Sequence, residues 1–143
     1  MIKTMVETVK KIHKEDLVLI KIGNFYHAYG KDAYIICYLF DYKLKNDFSV
    51  TCGFPVNSLN KILSKLEDEK INYLVLDRHD NYNVDEVYDN KNLNNYQKVY
   101  EKAKKDISYM MKVDKICEYL NKNYKKYECK KKIVRIEELI NEE

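Results

Sequence analysis

The sequence predicts an α/β (α+β) fold, a mixed sheet flanked by helices, followed by a helical C-terminal extension. Three observations carry that reading. Short apolar runs rich in β-branched and aromatic residues alternate with helical stripes as far as about residue 90. From Asn92 onward the apolar period is helical, with no Gly/Ser-rich linker or internal repeat before it. At 143 residues, 45% hydrophobic and 34% charged, the chain has the size and balance of one domain with an appendage. The expected organisation is an α/β domain over residues 1–90 and a helical extension over 91–143.

Taken in order, Ile2, Met5, Val9 and Ile12 recur at three- and four-residue steps, with Val6 widening the stripe, which predicts a short buried-face helix. Glu15 and Asp16 end that pattern, and Leu17–Ile22 reads as a mostly buried strand. Gly23-Asn24 is a turn, because glycine permits a sharp reversal, and Phe25–Tyr29 is its hairpin partner. Gly30-Lys31-Asp32 opens an apolar helix from Ala33 to Leu39 or Phe40. Residues 41–49 alternate around Asn46-Asp47, the pattern of a turn between two short strands, of which 48–52 is the second. Gly53-Phe54-Pro55 should stop that strand. The next helix should be capped by Asn57 or Ser58 and bury Leu59, Ile62, Leu63 and Leu66. Residues 71–76 form a further strand, Asp77-Arg78-His79-Asp80 a polar loop, and 84–88 a marginal strand. Leu93, Tyr96, Tyr100, Ala103, Ile107, Met110, Val113 or Asp114, Cys117 and Leu120 or Tyr119 trace a long helix. Residues 121–132 read as a charged break before a terminal helix on Ile133, Ile136, Leu139 and Ile140.

Composition narrows the function classes. No apolar run approaches the roughly 18 residues that span a bilayer, and residues 1–14 are charged and amphipathic without a signal-peptide centre, so a cytoplasmic protein without a membrane partner is expected. Cys37, Cys52, Cys117 and Cys129 show no C-x-x-C spacing and no matching histidines, which argues against zinc and against a disulfide framework. Cys37 and Cys52 read as small buried hydrophobes. No phosphate-binding loop ending in Lys-Ser or Lys-Thr is present, and no cofactor is expected. The net charge of +3 is modest but uneven: Lys98 to Lys132 holds 12 Lys against 5 Asp plus Glu. Lys102, Lys105, Lys112 and the run Lys130-Lys131-Lys132, interleaved with tyrosines, are candidate phosphate contacts; an A/T-rich codon bias accounts for the same lysines as a solvated face.

Four short motifs stand in a telling order: Gly23-Asn24-Phe25-Tyr26-His27, Asp32-Ala33, Leu39-Phe40-Asp41, and Gly53-Phe54-Pro55 followed by a helix and a hydrophobic strand. Over residues 15–80 this order resembles the N-terminal domain, domain I, of the MutS family of DNA mismatch repair proteins. In that family a strand ends in Gly-(Asp/Glu)-Phe-Tyr-Glu; the phenylalanine wedges into the duplex and the glutamate hydrogen-bonds the mispaired base. The resemblance implies Phe25 as wedge and His27 in the glutamate position, with Asn24 where an acidic residue is usual and Lys21 completing the candidate set. Tyr26 is expected in the core, since strand alternation sends it to the face opposite Phe25 and His27.

The resemblance implies a non-enzymatic nucleic-acid-binding protein. A chain of this length has no room for the connector, clamp and ATPase domains of MutS, and is similar to freestanding MutS-like proteins of bacterial mobile elements such as diversity-generating retroelements. Structured RNA, an RNA–DNA hybrid, DNA, and a reverse transcriptase are the partners so implied. The rival reading is a protein-interaction module that uses the C-terminal helical face, with the MutS-like part as scaffold. A metal-dependent nuclease would want a cluster such as Asp77, His79 and Asp80, but no second acidic cluster accompanies it. The oligomeric state is open.

Overall fold

The hairpin at Gly23 forms, and it lies inside a six-stranded mixed sheet. The computed structural model describes residues 2–46 and 49–142, with only the backbone at Lys3. In chain order the elements are α1 (Ile2–Ile12), β1 (Leu17–Ile22), β2 (Phe25–Tyr29), α2 (Lys31–Phe40), β3 (Lys45–Asn46), β4 (Val50–Pro55), α3 (Leu59–Asp68), β5 (Tyr73–Asp77), β6 (Asn83–Tyr88), α4 (Tyr96–Asn123) and α5 (Tyr127–Ile140). The strands lie in the order β3-β4-β2-β1-β5-β6, antiparallel except where β1 meets β5. β1 is central because Leu17, Val18, Leu19 and Ile20 are apolar on both sides and buried on both. Its parallel partner β5 needs a crossover, which α3 supplies.

Register sorts the side chains onto two faces. Val18, Ile20, Leu74 and Leu76 cluster on one, and Val6 and Val9 of α1 pack onto them. Leu17, Leu19, Tyr26, Ala28 and Phe54 point the other way and are buried, with α2 packed against β2 and β4. Tyr73 donates to Glu67 of α3 at 3.0 Å, and the rings of Tyr34 in α2 and Tyr100 in α4 lie 6.1 Å apart. With 11 residues, α1 covers only the middle of its face. Val84 and Val87 of β6, paired opposite Leu76 and Leu74, stay exposed beyond it.

By compactness the chain falls into two units, Met1–Ile107 and Ser108–Glu143. The first includes the start of α4, where Tyr96, Val99, Ala103 and Ile107 are buried. The second is a helical hairpin of the rest of α4 and α5, in which Lys132 donates to the Tyr119 hydroxyl at 3.0 Å. Among its described residues only Cys129 is a buried apolar side chain.

Several expectations are corrected. β4 does not stop at Cys52 but runs through Gly53, Phe54 and Pro55, because Phe54 is buried and stacks on Tyr26 at 5.7 Å, and Pro55 falls at the strand's last position, where a missing donor is tolerated. Asp47 and Phe48, the centre of the expected turn, lie outside the described residues. Ser58 occupies the cap position of α3 without a side-chain hydrogen bond, a 3₁₀ turn over Val56–Ser58 leading in instead. Ile12, at the end of the α1 stripe, is 76% exposed. Leu93 precedes α4, which starts at Tyr96. The charged break shrinks to residues 124–126, and Lys130, Lys131 and Lys132 belong to α5, since lysine is a good helix former and charge alone does not end a helix.

One buried carboxylate joins four elements. Asp32, 2% exposed at the start of α2, accepts from the Tyr96 hydroxyl of α4 at 2.5 Å, from Lys10 of α1 at 3.1 Å and from the Val18 backbone N–H of β1 at 3.1 Å. Burial raises its carboxyl above the ordinary range, opposed first by the Lys10 charge and then by these donors. Leaving such a site half-filled is costly, because each remaining buried polar group keeps its desolvation penalty. Asp32→Ala should lower unfolding free energy by about 3–5 kcal/mol and Tyr96→Phe by about 1–3 kcal/mol, read by urea denaturation. The double variant should fall well short of the sum; strict additivity would show that the two side chains do not share one network.

Candidate nucleic-acid interface

β1 and β2 pair as Ile20 with His27, Lys21 with Tyr26 and Ile22 with Phe25, so the connection is the two residues Gly23-Asn24. Gly23 has φ 62°, the left-handed value that such a tight turn asks of its first residue. The Asn24 carbonyl accepts the Val56 N–H at 3.1 Å, which ties the turn to the end of β4. The rigid frame therefore reaches to the residue before Phe25.

Alternation then puts Phe25, His27 and Tyr29 on the face that α1 only partly covers, and Tyr26 and Ala28 in the core. Phe25 is 47% exposed. Its ring centroid lies 6.4 Å from that of His27, and His27 lies 6.4 Å from Tyr29, so three rings form a ladder along one strand. Tyr29 packs against the Val18–Leu76 cluster and anchors the inner end. A Cβ on Gly53, directly across from His27, would meet the imidazole Nδ1 at 3.2 Å and Cε1 at 3.3 Å. Glycine at 53 thus leaves the ring room to lie over the strand. His27 is half-buried, and desolvation, then the Lys45 charge, lowers its pKa below the usual 6.5. A neutral imidazole at pH 7 has one donor and one acceptor nitrogen. Arg78 places a second positive charge near Tyr29, whose hydroxyl pKa burial raises.

The sequence-predicted residues do not all meet. Phe25 and His27 share the ladder, and Asn24 stands exposed at its outer end. Lys21, opposite Tyr26, lies on the other face of the hairpin. Lys102 and Lys105 are exposed on α4, in the layer that covers that other face. Lys112, Lys130, Lys131 and Lys132 belong to the second unit, where Lys112 sits over Tyr109 at 5.0 Å and Lys131 over Tyr127 at 4.7 Å. Asp77 accepts the His79 N–H at 2.9 Å and caps the 3₁₀ turn Arg78–Asp80, which explains that polar cluster as loop geometry. Among the described residues no group of three His, Cys, Asp or Glu side chains forms a metal site, and no helix is long and apolar enough to cross a membrane. Sequence reading missed Tyr29, Lys45 and Arg78. The period-two spacing of 25, 27 and 29 was signal enough for the first; the other two approach only through strand pairing.

A family model described as MutS domain I matches residues 2–87. The chain belongs to that family. No curated protein sequence matches it significantly. MutS domain I is a DNA-binding, mismatch-recognition family, and a recognition rather than a catalytic domain. The match includes β1 to β5 and all of β6 but its last residue, so α4 and α5 lie outside it.

The depressed His27 pKa sets a pH dependence with a definite sign. The fold favours the neutral ring, so its contribution to stability is complete above pH 6.5 and is lost as pH falls through the folded pKa. NMR titration of the His27 imidazole should give a midpoint below 6.5, and Lys45→Met should raise it only in part, because desolvation is the larger cause. A midpoint at or above 6.5 would contradict the packing over Gly53.

Proposed function

We propose that this MutS domain I protein binds nucleic acid, without catalysis of its own, by stacking an unpaired or easily unstacked base on Phe25 and reading it with His27. The carrying observation is the exposed Phe25 ring on a rigid hairpin, continued by His27 on the same face. An aromatic face gains on the order of 1–3 kcal/mol per stacked base. The two ring planes are tilted by 43° with centroids 6.4 Å apart, whereas neighbouring bases of a B-form strand lie parallel at a rise of roughly 3.4 Å. A strand that used both rings is therefore splayed at that step, which favours a mismatch, bulge or single-stranded segment over a perfect duplex. Lys45 and Arg78 supply phosphate attraction beside the ladder, and Asn24 a hydrogen-bonding side chain at its tip. Lys102, Lys105, Lys112 and Lys130 would add a sequence-independent, salt-dependent component.

His27 changes what is read. A carboxylate only accepts hydrogen bonds and is repelled by phosphates, whereas a neutral imidazole both donates and accepts. That suits a structured RNA or an RNA–DNA hybrid as well as DNA. Service to a bacterial mobile element such as a diversity-generating retroelement, beside its reverse transcriptase, is part of this proposal and rests on the resemblance to freestanding MutS-like proteins.

Fluorescence anisotropy at about 50 mM salt, where phosphate contacts are strongest, tests the reading with labelled perfect duplex, mismatched duplex, hybrid and single strands. Phe25→Ala should weaken the unpaired-base ligands by about tenfold and leave the perfect duplex nearly unchanged. Lys45→Glu should weaken all of them alike. Equal losses from both variants would remove the wedge, and no binding of any ligand would remove nucleic-acid recognition altogether.

A further inference from the structure

The second unit has a groove that the family match does not reach. It lies between the C-terminal half of α4 and α5, has a volume of about 590 Å³, and is lined by Lys115, Ile116, Tyr119, Leu120, Lys132, Arg135 and Ile136. Ile116, Leu120 and Ile136 form the floor; Lys115, Lys132 and Arg135 form the rim. Ile116 is 52% exposed and Tyr119 42%, in a hairpin that buries little else. We infer that this groove is the docking site of an acidic amphipathic helix supplied by another protein.

Shape and charge choose that occupant. The lining residues recur at three- and four-residue steps on two helices, 116, 119 and 120 on α4 and 132, 135 and 136 on α5, so the groove between them accepts the ridge of a third. Its length is apolar, with no set of convergent polar groups of the kind that fixes a small ligand. Every charged side chain lining it is a cation. Lys132 is held over the Tyr119 ring at 4.8 Å and bonded to its hydroxyl, so this rim charge is positioned before any partner arrives. Arg135 bridges Glu138 at 3.2 Å and Glu142 at 3.8 Å, exposed pairs that exchange at little cost. A phosphodiester backbone gains nothing by displacing water from Ile116, Leu120 and Ile136. A second copy docking groove to groove would set three cations against three cations, which carries a penalty. A helix with apolar residues along one stripe and Glu or Asp on its flanks satisfies both floor and rim.

The proposal is independent of the Phe25 reading and is tested on the whole chain. The probe is a fluorescein-labelled helical peptide of about five turns, Leu along one stripe and Glu on the flanks, with a control carrying Lys in place of Glu. The acidic peptide should bind saturably and the Lys peptide should not. Ile116→Glu should weaken binding by about tenfold or more. Lys115→Glu, an exposed change that leaves packing intact, should weaken it several-fold at about 0.1 M salt and much less at about 1 M, where the Debye length falls to roughly 3 Å. Should Ile116→Glu lose helicity by circular dichroism, Lys115→Glu alone decides. The inference fails if the acidic peptide does not bind, if both peptides bind equally, if Lys115→Glu is without effect, or if sedimentation shows a dimer that Ile116→Glu dissociates.

Discussion

The first unit depends on where a single negative charge is buried. Asp32 brings together a helix that precedes the sheet, the central strand, the helix that follows the hairpin and a helix 64 positions further on. None of these contacts is local in sequence, and each supplies a donor to an oxygen that water cannot reach. Hydrophobic burial would let α1 and α4 slide on an apolar surface, because it has no direction. The carboxylate fixes their register. Lys10 also lies over the Tyr96 ring at 4.9 Å, so the cation and the phenol that share Asp32 touch each other as well. The Asp32-Ala33 pair has a plain structural role: an acid buried among its donors and a neighbour, Ala33, wholly buried beside it, where a larger side chain requires repacking.

A second polar junction does the same for the other end of the sheet layer. Asn72, 5% exposed, accepts the Asn90 N–H at 2.9 Å and donates to Asp89, while its own N–H is taken by Asn94. Asn94 in turn donates to the Glu15 carbonyl at 2.7 Å and accepts the Tyr96 N–H. The asparagine-rich stretch before α4 is thus a set of backbone clamps. The hydrogen bonds show side chains that replace missing secondary structure. With α4 clamped at its start and bonded through Tyr96, the core extends to Ile107, well past the change of period near residue 90.

Sequence legibility followed the physics that is local. Both hairpin strands, their turn and the two faces of β2 were readable, because alternation and a glycine at a tight reversal are properties of a few consecutive residues. The course of β4 was not, since Gly53 and Pro55 look like breakers until His27 and Phe25 are placed across from them. Ile12 continued a stripe whose last member stays exposed, so periodicity overran burial. The lysine run in α5 misled for the opposite reason: charge marks a solvated face as readily as a break. At the candidate interface Phe25 and His27 were found through a motif, while Lys45 and Arg78 act on the ladder from strands and turns distant in sequence.

The pairing of His27 with Gly53 carries the family comparison one step further. By the resemblance, the position that His27 occupies holds a glutamate in the MutS family. Here the side chain is a ring set close against glycine, between two other rings and near a lysine. A carboxylate at 27 would be drawn to Lys45 and pulled off the strand, opening the ladder. An imidazole kept neutral by desolvation and by that same lysine stays in line with Phe25 and Tyr29. The exchange of residue type is therefore matched by its surroundings: glycine below, a cation at the side, aromatic faces at both ends. What the hairpin presents is a row of three rings, successive planes tilted by 43° and 34°, with an imidazole at the centre. Under the proposed function, stacking on these rings is tolerant of base identity, and discrimination then falls to how easily a base leaves its neighbours.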